Sequence, residues 1–265
     1  MEIEQQIMDI AIQNGATMAG IATVDALKSS ASHQIYTQMG DYSGVGTVKD
    51  GEVLPPDQLF NWPEEAKSAV VIGLSHPTSR PDWWDGRGTP GNRQLMEIMK
   101  LTRQEVERKL GLEAHKLHYY VEKGGVFLKD AAALAGLGCI GKNNMLVTPD
   151  YGPRVRLRAM FITEALEPTG PVPFDPCADC EVYCRRVCPE GAMAEKAPFF
   201  EAIDAPVDLP ARDGAYNRES CNVRMEKDIA ESKAEGSGEG ALIRYCRKCE
   251  FVCPVGRKSG EKAGA

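Results

Sequence analysis

Cys177-Ala-Asp-Cys180-Glu-Val-Tyr-Cys184-Arg-Arg-Val-Cys188-Pro189 and Cys246-Arg-Lys-Cys249-Glu-Phe-Val-Cys253-Pro254 are the two stretches that decide how this chain is built. With a lone Cys221 ahead of the second array, they account for eight of the nine cysteines. A cubane iron–sulfur cluster needs four thiolates converging on four irons, and short C-x2-C spacings wrap a backbone loop around its sulfurs. Where two such arrays share a chain, the cysteine before the proline serves the other cluster. That rule assigns Cys177, Cys180, Cys184 and Cys253 to one 4Fe–4S cluster, and Cys188, Cys221, Cys246 and Cys249 to a second. The count closes at two cubanes. One departure stands out: two residues usually separate the second and third cysteines, and here Glu181, Val182 and Tyr183 make three. The insertion bears directly on Cys184.

Other uses of these cysteines fit less well. A disulfide framework calls for an oxidising compartment and usually a short secreted chain. The opening residues MEIEQQIMDIAIQNG carry acids and a helical pattern instead of a basic region followed by an apolar stretch, so no signal peptide is expected. Zinc is the stronger rival, because C-x2-C pairs also suit a tetrahedral ion. Zinc ribbons, however, do not call for a third and fourth cysteine followed by proline, twice over. The expectation is a cytoplasmic redox protein.

At 265 residues the chain has room for one large domain or two small ones, with ample core. Its 43% hydrophobic and 26% charged residues are ordinary for a globular protein. No apolar run approaches the ~20 residues of a membrane helix, so no membrane partner is expected. The formal net charge of −7 argues against a broad phosphate-binding surface, which makes nucleic acid an unlikely partner on composition alone.

Ile3, Ile7, Ile10 and Ala11 recur at helical spacing, which predicts a helix over residues 2–14 ended by Gly15. Thr17–Thr23 reads as a short strand, residues 38–60 as a loop, and Ala69–Leu74 as a buried strand. Asn92–Leu110 reads as a helix with Leu95, Ile98, Leu101, Val106 and Leu110 on one stripe, Leu117–Glu122 as a strand, and Phe127–Leu137 as an Ala-rich helix. Arg154–Ile162 alternates and then turns apolar, giving a strand with one wet end whose Arg154, Arg156 and Arg158 share a face. That face reads as solvated, with an anionic cofactor tail as the alternative. Pro168, Pro171, Pro173 and Pro176 form a stiff linker into the cysteine arrays. Residues 226–240 (EKDIAESKAEGSGEG) are acidic, carry no apolar stripe and read as a mobile insertion. The expected organisation is α+β: a first domain over 1–167 built on one sheet, then a cluster-binding domain over 168–265.

Gly136-Leu-Gly138-Cys-Ile-Gly141 fits the dinucleotide pattern G-x-G-x-x-G, but that pattern should follow a strand and open a helix. Here it follows the Ala-rich helix, so a nicotinamide site is not expected. Ala135-Gly-Leu-Gly-Cys-Ile-Gly-Lys-Asn143, with Thr148-Pro-Asp-Tyr-Gly152, instead resembles the A-G-L-G-W-I-G-K-N segment of epoxyqueuosine reductases. Pro63–Gly73 is similar to the start of a strand in the same family, and the cysteines, with Cys221 followed by Met225-Glu226, come in the same order. The resemblance covers about residues 63–256. Reductive dehalogenases are more distant relatives of that family.

The resemblance implies a nitroreductase-like α/β sandwich that binds cobalamin, joined to a ferredoxin-like domain with two 4Fe–4S clusters. It implies electrons from a flavodoxin or ferredoxin, passed through the clusters to the corrinoid, for reduction of a small molecule or of the corrinoid itself. An electron carrier without cobalamin and a true epoxyqueuosine reductase acting on tRNA are the two alternatives. By matched position, Glu122 becomes the candidate general acid, where the family has Asp; a solvent-facing strand end is its other reading. Gly136, Gly138, Gly141, Lys142 and Asn143 become candidate cofactor contacts, unless Lys142 and Asn143 only cap the turn. Cys139 stands at the family's Trp position and reads as a buried apolar residue. His76 reads as structural or solvated, and Trp83 and Trp84 as core, lid or cofactor-stacking residues. Gly91-Asn-Arg-Gln94 replaces the family's D-Y-H, and the helical-repeat tail of longer members is not matched.

Overall fold

Alternation along Ser68–Ser75 explains the architecture. This strand sends Ala69 and Val71 to one side and Val70 and Ile72 to the other, all fully buried. A strand buried on both faces needs a layer above and a layer below. The computed structural model describes residues 2–36, 62–76, 83, 89–196, 209–234 and 245–257. Within it the strand is β2, flanked by β1 (Met18–Thr23) and β6 (Val155–Ile162), with β3 (Ala114–Lys116) at the edge. The sheet order is β1-β2-β6-β3 and every pairing is antiparallel, from Met18↔Gly73 through Ser75↔Val155 to Lys116↔Met160.

Helices α1 (Ile3–Gln13) and α4 (Pro90–Leu110) cover one face through Ile7, Ile10, Leu95, Ile98 and Val106, packed on Ile21, Val70, Ile72, Met160 and Ile162. Helices α2 (Val24–Lys28) and α5 (Leu128–Leu134) cover the other, with Trp62 packed against Phe161 and the alanines of α5 against Val71 and Ala159. The short α3 (Ala31–Ile35) follows α2. β4 (Cys139–Ile140) and β5 (Leu146–Val147) form a separate two-stranded hairpin. The cysteine arrays follow on short helices: α6 (Tyr183–Arg186), α7 (Arg218–Ala234) and α8 (Lys248–Phe251), with α6 against α8. No helix among the described residues is long and apolar enough to cross a membrane.

Four expectations need correction. Leu117–Glu122 is not a strand: β3 ends at Lys116, and the chain turns through a 3-10 turn at Val121–Lys123 closed by the Gly125 N–H on the Tyr120 carbonyl. Leu101 lies off the apolar stripe of α4 and is 37% exposed. Residues 226–234 belong to α7 instead of a mobile insertion, because Glu, Lys and Ala favour helix and Arg224 pairs with both Asp228 and Glu231. Arg154, just before β6, and Arg156 and Arg158 within it do not form a solvated face: Arg154 is 4% exposed and the other two are half-buried. The 38–60 loop, Trp84 and residues 235–240 lie outside the described residues, and Trp83 is half-buried.

Candidate functional site

The extra residue before Cys184 is absorbed by the backbone. Val182 adopts φ +58 at the N-terminus of α6, a left-handed conformation that a β-branched residue enters only at a cost. Cys184 is thereby turned inward and buried. Burial, then the nearby Cys177 and Cys253 thiols, push its pKa up to about 11. Cys177 and Cys253 are raised for the same first reason, burial, and each also feels Cys180. These four thiols form one neighbourhood.

Cys188, Cys221, Cys246 and Cys249 line a second one, a cavity of about 260 Å³. Cys221 comes from the first turns of α7, and Cys249 from α8. Burial raises Cys249 strongly, with Glu250, Cys246 and Cys221 adding to it. None of the nine cysteines is in a disulfide. A single tetrahedral zinc with Zn–S bonds near 2.3 Å would draw its sulfurs to about 3.8 Å from one another. Among the described residues, the only three donor atoms of His, Cys, Asp or Glu within 4.8 Å of one another belong to Glu65, Glu113 and His115. The thiols fall into two neighbourhoods of four, the number of ligands a cubane cluster takes.

Polar side chains fix the cysteine segments to the sheet domain. Arg154 donates to the carbonyls of Cys253 and Val255. Gly152, at φ +55, lies so close to this segment that a Cβ would overlap the Val255 carbonyl oxygen. The Asn143 amide donates to the Cys249 carbonyl at 3.3 Å, and Arg185 donates to the Lys142 carbonyl at 3.3 Å. The Lys142 backbone N–H lies near enough to the Cys177 thiol to offset part of the rise that burial gives it. Gly138 abuts the Val147 backbone with no room for a Cβ, Gly136 follows α5 beside Thr169, and Gly141 lies beside Asn143. Among the candidate cofactor contacts, Asn143 lines the thiol cavity, and none lines the larger cleft described next.

At the centre of this interface Glu250, 1% exposed, accepts from His76 at 2.9 Å, Arg156 at 3.3 Å and Arg247. Burial alone would raise its pKa, but Arg156 and the bonds from His76 and Arg247 outweigh it and hold the carboxylate ionised. His76 is lowered to about 4, first by burial and then by the two arginines against the opposing pull of Glu250. It is therefore neutral. The tautomer that satisfies the network donates from Nε2 to Glu250 and accepts at Nδ1 from Arg247, at 3.2 Å. His76 is thus structural.

A cleft of about 1460 Å³ adjoins the thiol cavity, between α4, the Lys116–Tyr120 segment and β6. Among the described residues its walls carry Arg93, Lys100, Arg103, Lys116, Lys129, Arg156 and Arg158 against a single carboxylate, Glu97. Seven cations to one anion, in a chain of net charge −7, is a strong segregation of charge. Arg158 is held by Asn92 at 3.0 Å and lies 4.8 Å from the Tyr119 ring centroid. Lys129, Met145 and Arg156 line both cavities. Burial lowers Lys129 to about 8, against the opposing pull of Asp130. Glu122 lies in the backbone turn between Tyr120 and Val126, both on the cleft wall; its side chain lies outside the described atoms.

Sequence reasoning missed the cleft's cations, although Arg93, Lys100 and Arg103 recur at intervals of seven and three, which is one face of a helix. It also missed Glu250, an acid set directly beside a cysteine of the second array.

Fold and site together describe a mixed α/β protein whose thiol-lined cavity opens beside a cationic cleft. No protein-family model matches the chain. An epoxyqueuosine reductase from Gloeobacter violaceus is 42% identical over 265 residues, covering 94% of this chain and 75% of the relative. A solved epoxyqueuosine reductase with an epoxyqueuosine-modified tRNA stem loop superposes with a TM-score of 0.66 at 21% identity, over 96% of this chain and 65% of that one. A reductive dehalogenase, described as B12-dependent, superposes with a TM-score of 0.58 at 16% identity, over 94% of this chain and 31% of that one. The chain belongs to the epoxyqueuosine reductase family. It spans 64% of the length of one such relative, from Bacillus subtilis.

These findings overturn the expectation that nucleic acid is an unlikely partner. A protein of the same fold is solved with a tRNA stem loop. Net charge misled because a single sum over the chain does not register a cleft wall rich in Lys and Arg.

Proposed function

We propose that this chain is an iron–sulfur, corrinoid-dependent reductase acting on an epoxide-bearing modified nucleoside in transfer RNA. The observation that carries the reading is the adjacency of a four-thiol cavity and a cleft with seven cations, in a chain 42% identical to an epoxyqueuosine reductase. The stem loop bound by one relative and the B12 dependence ascribed to another supply the substrate class and the corrinoid.

In this reading residues 1–167 form a nitroreductase-like, corrinoid-binding domain and 168–265 a ferredoxin-like domain. Cys177, Cys180, Cys184 and Cys253 hold one 4Fe–4S cluster, and Cys188, Cys221, Cys246 and Cys249 the other. When bound, the clusters supply electrons singly and the corrinoid supplies the metal at which they are used. The cleft exceeds the ~300–1,000 Å³ usual for small-ligand pockets, as a macrocycle and a nucleoside together require.

The chain's own residues then have distinct tasks. Arg93, Lys100 and Arg103 on α4, with Lys116 and Arg158 opposite, hold backbone phosphates. Gly136, Gly138 and Gly141 shape a turn from which Lys142 and Asn143 meet the two cluster loops, through the Arg185 side chain and the Cys249 carbonyl. Removing an epoxide oxygen as water takes two electrons and two protons, and Glu122 is the proton donor. Thiols kept reduced for cluster binding suit the cytoplasm.

The test is tRNA stem-loop binding by fluorescence anisotropy across a salt series. Affinity that falls steeply with salt, and falls further in a triple Gln variant of Arg93, Lys100 and Arg103, supports the reading. Absence of binding at low salt would remove nucleic acid from it.

A further inference from the structure

The geometry points to Lys129 as the charge-balancing residue of the second cluster, standing between that cluster and the cleft. The inference rests on the reading that Cys188, Cys221, Cys246 and Cys249 hold a cluster. Lys129, Met145 and Arg156 line both cavities, so they form the partition an electron must cross. Of its two cations, Arg156 is already committed to Glu250 and the Val155 carbonyl. Lys129 is different. Its Nζ donates to the Asn144 carbonyl at 2.7 Å and stands 5.8 Å from the Tyr216 ring centroid. Among the described residues no carboxylate pairs with it.

The acids nearby are spoken for. Glu190 pairs with Lys227 at 2.8 Å, and Glu250 with Arg247, Arg156 and His76. Asp130, next in sequence, accepts from the N–H and hydroxyl of Ser32 at 3.0 and 2.8 Å. A cation drawn away from water, with only the neighbouring Asp130 pulling on it and no carboxylate paired to it, is costly. The four thiolates on the cavity wall provide that counter-charge, and each electron the cluster accepts adds to it. A positive charge beside the cluster therefore favours its reduced state and raises its potential. The balance is simple: an external one-electron carrier is oxidised by one, the cluster gains one, and the same electron leaves toward the cleft. No proton moves, and Lys129 stays an ammonium throughout.

The test uses the full chain, reconstituted anaerobically with iron and sulfide, in a stepwise dithionite titration followed by EPR. Lys129→Gln is expected to move one of the two cluster signals to a more negative potential and leave the other in place. Lys129→Arg restores it, and Lys109→Gln on the exposed end of α4 moves neither. Both signals unmoved in K129Q, or both shifted equally, would overturn the proposal. Loss of one cluster's iron from K129Q and Lys129→Met but not from K129R also supports it, because the charge is then needed to hold the cluster. Loss from all three assigns Lys129 to space-filling and overturns it. Wild-type protein that binds no cluster at all would instead sink the underlying reading.

Discussion

Replacing Glu250 by glutamine keeps the size of the side chain and removes its charge from a site that is 1% exposed. The carboxylate receives His76 at 2.9 Å, Arg247 at 3.0 Å and Arg156 at 3.3 Å. An amide offers one acceptor oxygen where three donors converge, and turns its own N–H groups toward at least one of them. Arg247 is left buried without a counter-charge. Removing one member of a buried ion pair costs about 3–5 kcal/mol. For a protein of this size each kcal/mol moves the melting temperature by about 2–4 °C, so Glu250→Gln should lower it by roughly 6–20 °C. Because the network joins β6 to the loop of the second cysteine array, the iron content of the reconstituted protein should fall as well. The assay is anaerobic thermal unfolding followed by circular dichroism and visible absorbance together. A loss below about 1 kcal/mol, the range of an exposed pair, with iron retained would refute the idea that Glu250 clamps the array to the sheet.

Three further outcomes follow from the same geometry. Gly152→Ala places a Cβ on the Val255 carbonyl at φ +55, so the Cys253 segment must lift away; iron should fall from about eight to about four per chain, and unchanged iron would contradict the contact. Val182→Gly relieves a left-handed β-branched residue and should stabilise the protein by about 1 kcal/mol in urea unfolding, whereas destabilisation would mean the valine side chain matters more than its backbone. Burial holds His33 at about 3, so the unfolded chain takes up a proton as pH falls through 6.5 while the folded chain does not. Stability is therefore lost between pH 6.5 and 3, by roughly 3 kcal/mol at about pH 4.5, and His33→Gln should remove that part of the acid sensitivity while leaving the rest.

Apolar periodicity made the sheet and its covering helices legible. Ile7, Ile10 and Ala11, the run Ala69–Leu74 and the stripe Leu95, Ile98 and Val106 are all buried, because burial is what such patterns encode. Leu117–Glu122 has strand-like residues but no strand, since a local turn closed by the Lys123 and Gly125 N–H groups on the Tyr120 carbonyl ends it, and strand propensity does not register that turn. Residues 226–234 lack an apolar stripe and still form a helix, held by charge pairs that hydrophobic periodicity does not register. At the site, cysteine spacing pointed to the two groups of thiols, because ligand spacing is local. The cationic cleft draws on α4, β6 and the Lys116–Tyr120 segment together, and net charge hid it. Arg154 and Arg156 looked solvated because their partners, Cys253, Val255 and Glu250, lie about a hundred residues away.

In the proposed reaction, electrons from thiolate-bound clusters reach an epoxide in transfer RNA. The most direct test incubates anaerobically reconstituted protein with cobalamin, a one-electron reductant and an epoxyqueuosine-modified tRNA stem loop, then identifies the nucleosides by mass spectrometry. The expected product is a nucleoside lighter by one oxygen atom, formed only when clusters, cobalamin and reductant are all present. Unchanged epoxyqueuosine, with the clusters intact and reduced and the stem loop bound, would contradict the account.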